Sequence, residues 1–321
     1  MIWIKRRLFL GFLVAAALAL AACGGAGGGS GADGGAGGEG GGSEVRTVEH
    51  AMGASEVEGT PERVVVLDTG ELDSVMSLGV KPVGSVEAVE GFGLPSYLEG
   101  TGGIENVGTI EEPNLEKIAT LEPDLILSSK LRHEKIYDQL SQIAPTVFTE
   151  TTGVTWKANF EKHAEAMNRT DEAEEVMAGY DERIGEFKND MGDRLDETEV
   201  SVVRFLPGET RIYQKESFIG RVLEDAGLSR PPSQDVEDFA ILGASEEAIP
   251  QMGGDAIFVT VYGPQDETTR QKITSDPLWR KLDAVKQDRV YEASDDLWML
   301  GIGPTAANGV LDDLEKHLAE G

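Results

Sequence analysis

Between Thr170 and Met191 the apolar positions Ala173, Val176, Met177, Tyr180, Ile184, Phe187 and Met191 recur every three or four residues, and charged side chains fill most of the gaps. That spacing predicts one amphipathic helix, and no proline interrupts it. Thr170 stands where an N-cap belongs, and Asp171 and Glu172 stand where the amide dipoles of a helix start favour carboxylates. At 1.5 Å per residue the helix is roughly 33 Å long. On either side the period changes. Short apolar runs at 63–68, 81–86, 124–129 and 146–149 read as strands, separated by helical patterns at 71–79, 113–121 and 133–143. Beyond the helix the alternation starts again, with strands at 199–206, 211–214, 256–261 and 289–292 and helices at 218–226 and 304–319. Strand and helix in alternation predict a parallel sheet on each side, so the chain reads as an α/β protein. Its two lobes span 45–169 and 193–321, and a connecting helix spans 170–192.

The first 44 residues follow other rules. Residues 1–22 carry Lys5, Arg6 and Arg7 and then an alanine-rich apolar core too short for a durable membrane span, which marks an export signal. Arg6 and Arg7 resemble a twin-arginine signal, and the choice between that route and the general secretory one stays open. The segment Leu20-Ala21-Ala22-Cys23-Gly24 resembles the bacterial lipobox, and Cys23 is the only cysteine in the chain, with no disulfide partner to explain it. Residues 24–43, part of a segment 23–44, are nearly all glycine with a few small or acidic residues. They read as a flexible tether with a reach of about 25 Å.

Charge narrows the partners. The chain has 58 acidic and 28 basic residues, a net charge of −30, and loss of the signal removes three of the basic ones. Nucleic acid is thereby excluded as a principal partner. Against this acidity a few arginines stand out. Arg204 and Arg211 flank a turn at Pro207-Gly208, which fits a hairpin with both guanidiniums near one end of a sheet. Tyr213 falls on the same face as Arg211 by period two. Two such forks suit a ligand rich in anionic or carbonyl oxygens, and they equally suit surface arginines that balance local carboxylates. Arg132 and Tyr262 follow the strands at 124–129 and 256–261, at the carboxyl ends where open α/β sheets hold ligands. Trp156 and Trp298, with Met299, stand in irregular stretches and are candidates for a cleft wall, whereas Trp279 reads as core. Of the four histidines, His163 and His317 read as helix-surface residues, and none has the spacing of a metal site. No cofactor is implied. No Gly-x-Ser-x-Gly elbow supports a hydrolase.

The segments TPERVVVLDTGELDSVMSLGVKPVGSV, NLEKIATLEPDLILSS, ASEEAIPQMGGDAIFVTVYG and WMLGIGPTAANGVLDDLEKHL resemble the class III, iron-siderophore and cobalamin group of ABC-transporter substrate-binding proteins. VVRFLPGETRIYQKESFIGRVLEDAGLSRPPSQ further resembles the Gram-positive siderophore-binding lipoproteins, those for hydroxamates above all. The resemblance implies two Rossmann-like lobes joined by a single long α-helix, with a ferric siderophore held in the cleft between them. It also implies delivery to an ABC permease by a monomeric, membrane-anchored lipoprotein outside the cell membrane, without enzymatic activity. Iron then arrives inside a chelator, with no metal ligand from the protein. Haem or cobalamin is the alternative ligand, with His133 or Tyr262 as axial candidates for haem. Glu116 and Glu247 match the two glutamates that dock such proteins on their permeases. As separate tests of the anchor, Cys23→Ser is expected to abolish incorporation of labelled palmitate and association with membranes. Label retained in the variant places the lipid elsewhere.

Overall fold

The computed structural model describes residues 45–264 and 267–320, so the expected signal, Cys23 and the tether lie outside the described residues. A hairpin of β1 (Val45–His50) and β2 (Gly53–Glu58) comes first. No periodic pattern marks it, because Val48 and Val57 are the only residues it fully buries. The first sheet contains β3 (Val64–Val66), β4 (Gly84–Glu87), β5 (Glu105–Thr109), β6 (Leu125–Ser129) and β7 (Thr146–Thr149) in the order β5-β4-β3-β6-β7, all parallel. Every residue of β3 and β6 is buried, as expected for parallel strands covered on both faces.

The second sheet contains β8 (Val200–Leu206), β9 (Glu209–Tyr213), β10 (Ala240–Ile241), β11 (Ala256–Val261) and β12 (Val290–Glu292), in the order β10-β9-β8-β11-β12. Its β8, β11 and β12 are parallel, whereas β9 and β10 are antiparallel additions. The β8–β9 turn runs through Gly208 at φ +72°, a left-handed conformation that favours glycine.

The connecting helix spans Thr170–Met191, and its apolar stripe is divided between two cores. Ala173, with Val176 and Met177 beside it, packs with the first lobe, and Tyr180, Ile184, Phe187 and Met191 pack with the second. Its start differs from expectation. Thr170 is already helical, Arg169 precedes it without a side-chain cap, and the turn is made by Asn168 at φ +57°, which ends an unexpected helix, Trp156–Met167. That helix is hard to read in sequence because one of its buried positions is a histidine. The helix expected at 133–143 is broken into short turns, since His133 is pinned by Ser128 Oγ at 2.6 Å and the Ile110 carbonyl at 2.7 Å and leaves helical geometry.

A second junction joins the lobes. Asp73, fully buried in the helix Thr69–Ser77, accepts the Thr305 and Ala306 amides at 2.9 Å and so caps the helix Pro304–Leu314. A Cβ at Gly303 would come within 2.6 Å of that carboxylate, so glycine alone fits the approach.

His163 is not on a helix surface but 2% exposed, and burial pushes its pKa down to about 3. A histidine whose folded pKa lies below its ordinary 6.5 holds fewer protons in the folded than in the unfolded chain, so its contribution to stability is lost as pH falls from about 6.5 towards 3. Urea unfolding at pH 7 and pH 5 is expected to show about 2 kcal/mol of acid-side loss from this residue. His163→Leu should remove that share, and an unchanged slope would show that the buried ring is not held neutral.

Candidate functional site

Arg204 and Arg211 are direct partners across the antiparallel β8–β9 ladder, so their side chains leave the same face of the sheet. Tyr213 shares the face, and Arg204 Nη1 donates to its hydroxyl at 3.3 Å. Arg204 Nε and Nη2 donate to Asp295 Oδ1 and Oδ2 at 2.7 and 2.6 Å, a bidentate pair with both side chains under a tenth exposed. Burial works against the Arg204 charge, but Asp295 and Tyr213 outweigh it and hold the guanidinium's pKa above its ordinary value. The same guanidinium lies 4.9 Å from the ring centre of Tyr262, and that ring also stacks on Phe92 of the first lobe at 6.0 Å. Arg211 is more open and binds Glu209 Oε2 through Nε and Nη2 at 3.0 and 2.7 Å.

From the first lobe, Arg132 follows β6 and donates through Nε to Asp68 Oδ2 at 2.7 Å. Asp68 is 1% exposed and also accepts the Thr69 amide at the start of the helix Thr69–Ser77. Neither terminal nitrogen of Arg132 is committed to a protein partner among the described residues. Ser217 caps the helix Phe218–Asp225 by accepting the Gly220 amide at 3.0 Å, and this positive helix end opens on the same space.

Arg132, Arg204, Arg211, Tyr213 and Ser217 border a hollow of about 450 Å³ whose wall includes Leu131 and Thr152 from one lobe and Phe239 from the other. A neighbouring hollow of about 400 Å³ shares Leu300 and takes Phe92, Tyr262, Asp295 and Asp296. Both are of the size that accepts a small organic ligand. Leu131, Phe239 and Phe92 are 61%, 44% and 63% exposed, which sets them at the mouth and not in a core.

The expected residues separate accordingly. Arg132, Arg204, Arg211, Tyr213 and Trp298 border the larger hollow, with Met299, and Tyr262 borders the smaller one. Trp156 does not line either hollow. It is 2% exposed and packs edge-on against Tyr180 and Phe218, because it begins a helix whose first turn enters the second lobe's core. Trp298 is chiefly core too, stacked 4.6 Å from Phe258 with its indole N–H on Asp313. The sequence does not mark Asp295, Asp68, Phe92, Phe239 or Leu131; the first four sit in loops or just past a strand end and Leu131 in a single helical turn, all too short for a periodic pattern. Both His133 nitrogens are engaged, so neither is free for a haem iron. Among the described residues no cluster of three or more histidine, cysteine or carboxylate side chains could hold a metal ion. Glu116 and Glu247 are exposed, each nine residues ahead of the strand that follows, β6 and β11, which occupy matching positions in the two sheets.

The sequence pattern of periplasmic binding proteins matches residues 64–297. The chain belongs to the periplasmic binding protein family. A protein of Bacillus subtilis (strain 168) named as a probable siderophore-binding lipoprotein, YfiY, is 42% identical over 287 residues, covering 86% of this chain and 88% of its own. The Fe(3+)-citrate-binding protein YfmC of the same organism is 31% identical over 257 residues, 79% of each chain. Staphylococcus aureus SirA, solved in complex with staphyloferrin B, superposes with a TM-score of 0.77 at 36% identity, covering 85% of this chain and 98% of that one. Two α/β lobes on one long helix are thus the family architecture, and this periplasmic binding protein binds and carries its substrate without transforming it.

Arg204 holds the site together as well as facing it. Removing one partner of a buried pair leaves the other charge uncompensated, so Arg204→Ala is expected to cost about 3 kcal/mol of stability in urea unfolding. The double variant Arg204→Met, Asp295→Leu should recover most of it. A single variant as stable as the parent would show that the pair is not buried in solution.

Proposed function

We propose that this periplasmic binding protein captures a ferric siderophore in the hollow between its lobes and delivers it to an ABC permease. The reading rests on one observation above others: guanidiniums from both lobes, Arg132 on one side and Arg204 and Arg211 on the other, converge on a single hollow in a chain of net charge −30. Arg132 and Arg211 donate to chelate oxygens, Tyr213 adds a hydroxyl, Arg204 fixes Tyr213 and Tyr262 in place, and Phe239 with Leu131 covers the organic part, with only an edge of Trp298 behind them. The hydroxamate class expected from the sequence suits this set through its carbonyl oxygens. A carboxylate class is the second reading, favoured by the number of guanidiniums and by the citrate-binding relative. The protein acts as a monomer on the outer face of the cell membrane, held by a lipid on Cys23; no helix among the described residues is long and apolar enough to cross a membrane.

Titration of intrinsic tryptophan fluorescence with ferric hydroxamates, ferric citrate-type chelates, ferric catecholates, haem and cobalamin tests the ligand. One ferric siderophore class should bind tightly, and selective binding of haem or cobalamin would overturn the reading. Arg211→Ala should weaken that binding about ten- to a hundredfold, as loss of a charged donor does. Because Arg211 and Glu209 are both more than a quarter exposed, the same change should alter stability by less than about 1 kcal/mol.

Glu116 and Glu247 dock the two lobes on basic residues of the permease. Neither carboxylate has an ion pair among the described residues, which leaves both available. Glu116→Arg combined with Glu247→Arg should bind the ferric siderophore normally and fail to restore iron uptake in cells lacking the parent protein. Uptake at the parent rate would remove these residues from the interface.

A further inference from the structure

Next to the larger hollow is a separate small chamber of about 10 Å³, bordered by Glu71, Trp156, Asn159 and His163. Thr152 and Ile302 border both the chamber and the hollow, so the two are neighbours. Trp156 and His163 are each 2% exposed and Glu71 is 3% exposed. The Trp156 indole N–H and both ring nitrogens of His163 have no hydrogen-bond partner in the protein. A neutral imidazole always carries one donor and one acceptor, so two side chains that border the same small space carry three unsatisfied polar atoms between them. Buried groups of this kind are nearly always paired, with protein or with ordered water. The free volume is at the lower limit for a single water, and two to four polar partners are what such a water requires.

We propose that the chamber is a binding site for one water molecule, held by the Trp156 indole N–H, the His163 ring and the Glu71 carboxyl, and that this water bridges the two lobes beneath the cleft. Trp156 packs in the second lobe's core, and Glu71 belongs to the helix Thr69–Ser77 of the first. The water therefore takes the indole proton as acceptor, bonds one imidazole nitrogen and meets the carboxyl, closing a contact that no pair of side chains closes directly. Burial, with Asp68 alongside, pushes the Glu71 carboxyl up to about 8, so at neutral pH it is mostly protonated and can donate to the water as well as accept. A cation does not suit the chamber, because Glu71 and His163 are its only strong ligands.

A crystal structure of the full chain, at a resolution that resolves ordered solvent, reads the site directly. The expected result is one water within about 2.7 to 3.2 Å of Trp156 Nε1 and of a His163 nitrogen. Water-selective NMR of the full chain supplies a second reading in solution: the Trp156 indole proton, assigned by its loss in Trp156→Phe, should show a cross-peak to long-lived water. In His163→Leu the indole resonance should remain and that cross-peak should disappear. An empty chamber, or a direct bond from the Trp156 indole to Glu71 or His163, overturns the proposal, as does an indole with no cross-peak in the parent protein.

Discussion

One buried carboxylate sets how the two lobes meet. Asp73 has no exposed surface, and its oxygens accept the Thr305 and Ala306 amides, the Tyr97 hydroxyl at 3.0 Å and the Ser77 hydroxyl at 3.1 Å. A charge without water is tolerable only when its lone pairs are filled, and these four donors fill them. The carboxylate also supplies the cap that the helix Pro304–Leu314 cannot draw from its own Gly303. The helix of one lobe thus completes the helix of the other. With the connecting helix packing its stripe into both cores, the lobes are fastened at two places. Large hinge motions would break Asp73's bonds, so the geometry favours small adjustments around a largely preformed cleft.

The arginines are held by protein carboxylates: Arg204 by Asp295, Arg211 by Glu209 and Arg132 by Asp68. In a chain this acidic, unpaired guanidiniums would attract whatever anion is at hand. Pairing orients each fork and lowers the entropy lost when a ligand arrives, which is the general benefit of preorganisation. The three pairs differ in what they leave free. Arg204 spends two nitrogens on Asp295 and the third on Tyr213, whereas Arg132 uses only Nε. The most buried arginine is therefore the scaffold, and the less buried ones carry the larger reserve of donors.

The parts of the fold that follow a period were legible in the sequence. The connecting helix, apart from its capping residue, and the buried runs β3, β6, β7 and β11 were readable because tertiary packing there agrees with local pattern. The hairpin β1–β2 was not, since one valine per strand carries its burial. Trp156–Met167 was not, since its inner face includes His163, a residue that any apolar count assigns to solvent. For the site, the β8–β9 hairpin could be inferred from Pro207-Gly208 between two apolar runs, and with it the pairing of Arg204 and Arg211. Their carboxylate partners could not. Asp295 is ninety-one residues from Arg204, and Asp68 is sixty-four from Arg132, so only the folded chain brings them together. Trp156 and Trp298 show the remaining limit: sequence can say that a tryptophan stands outside a stripe but not which wall it faces.

The link between ligand hollow and lobe contact runs through Tyr262. Its ring meets Arg204 from its own lobe and Phe92 from the other, and one residue past Asp295, Asp296 accepts the Ser96 hydroxyl at 2.6 Å across the same gap. A cation beside an aromatic face and a stacked ring pair each contribute on the order of 1 kcal/mol, too little to hold lobes together unaided. Their value is positional. Any change in the direction of Arg204 must move Asp295 or Tyr262 with it, and Tyr262 cannot move without disturbing Phe92. Because Phe92 is the most exposed large apolar side chain among the described residues, little else restrains it. The contact across the mouth is thus governed from inside the cleft, where the arginine that scaffolds the ligand hollow is also the one that supports the ring closing it.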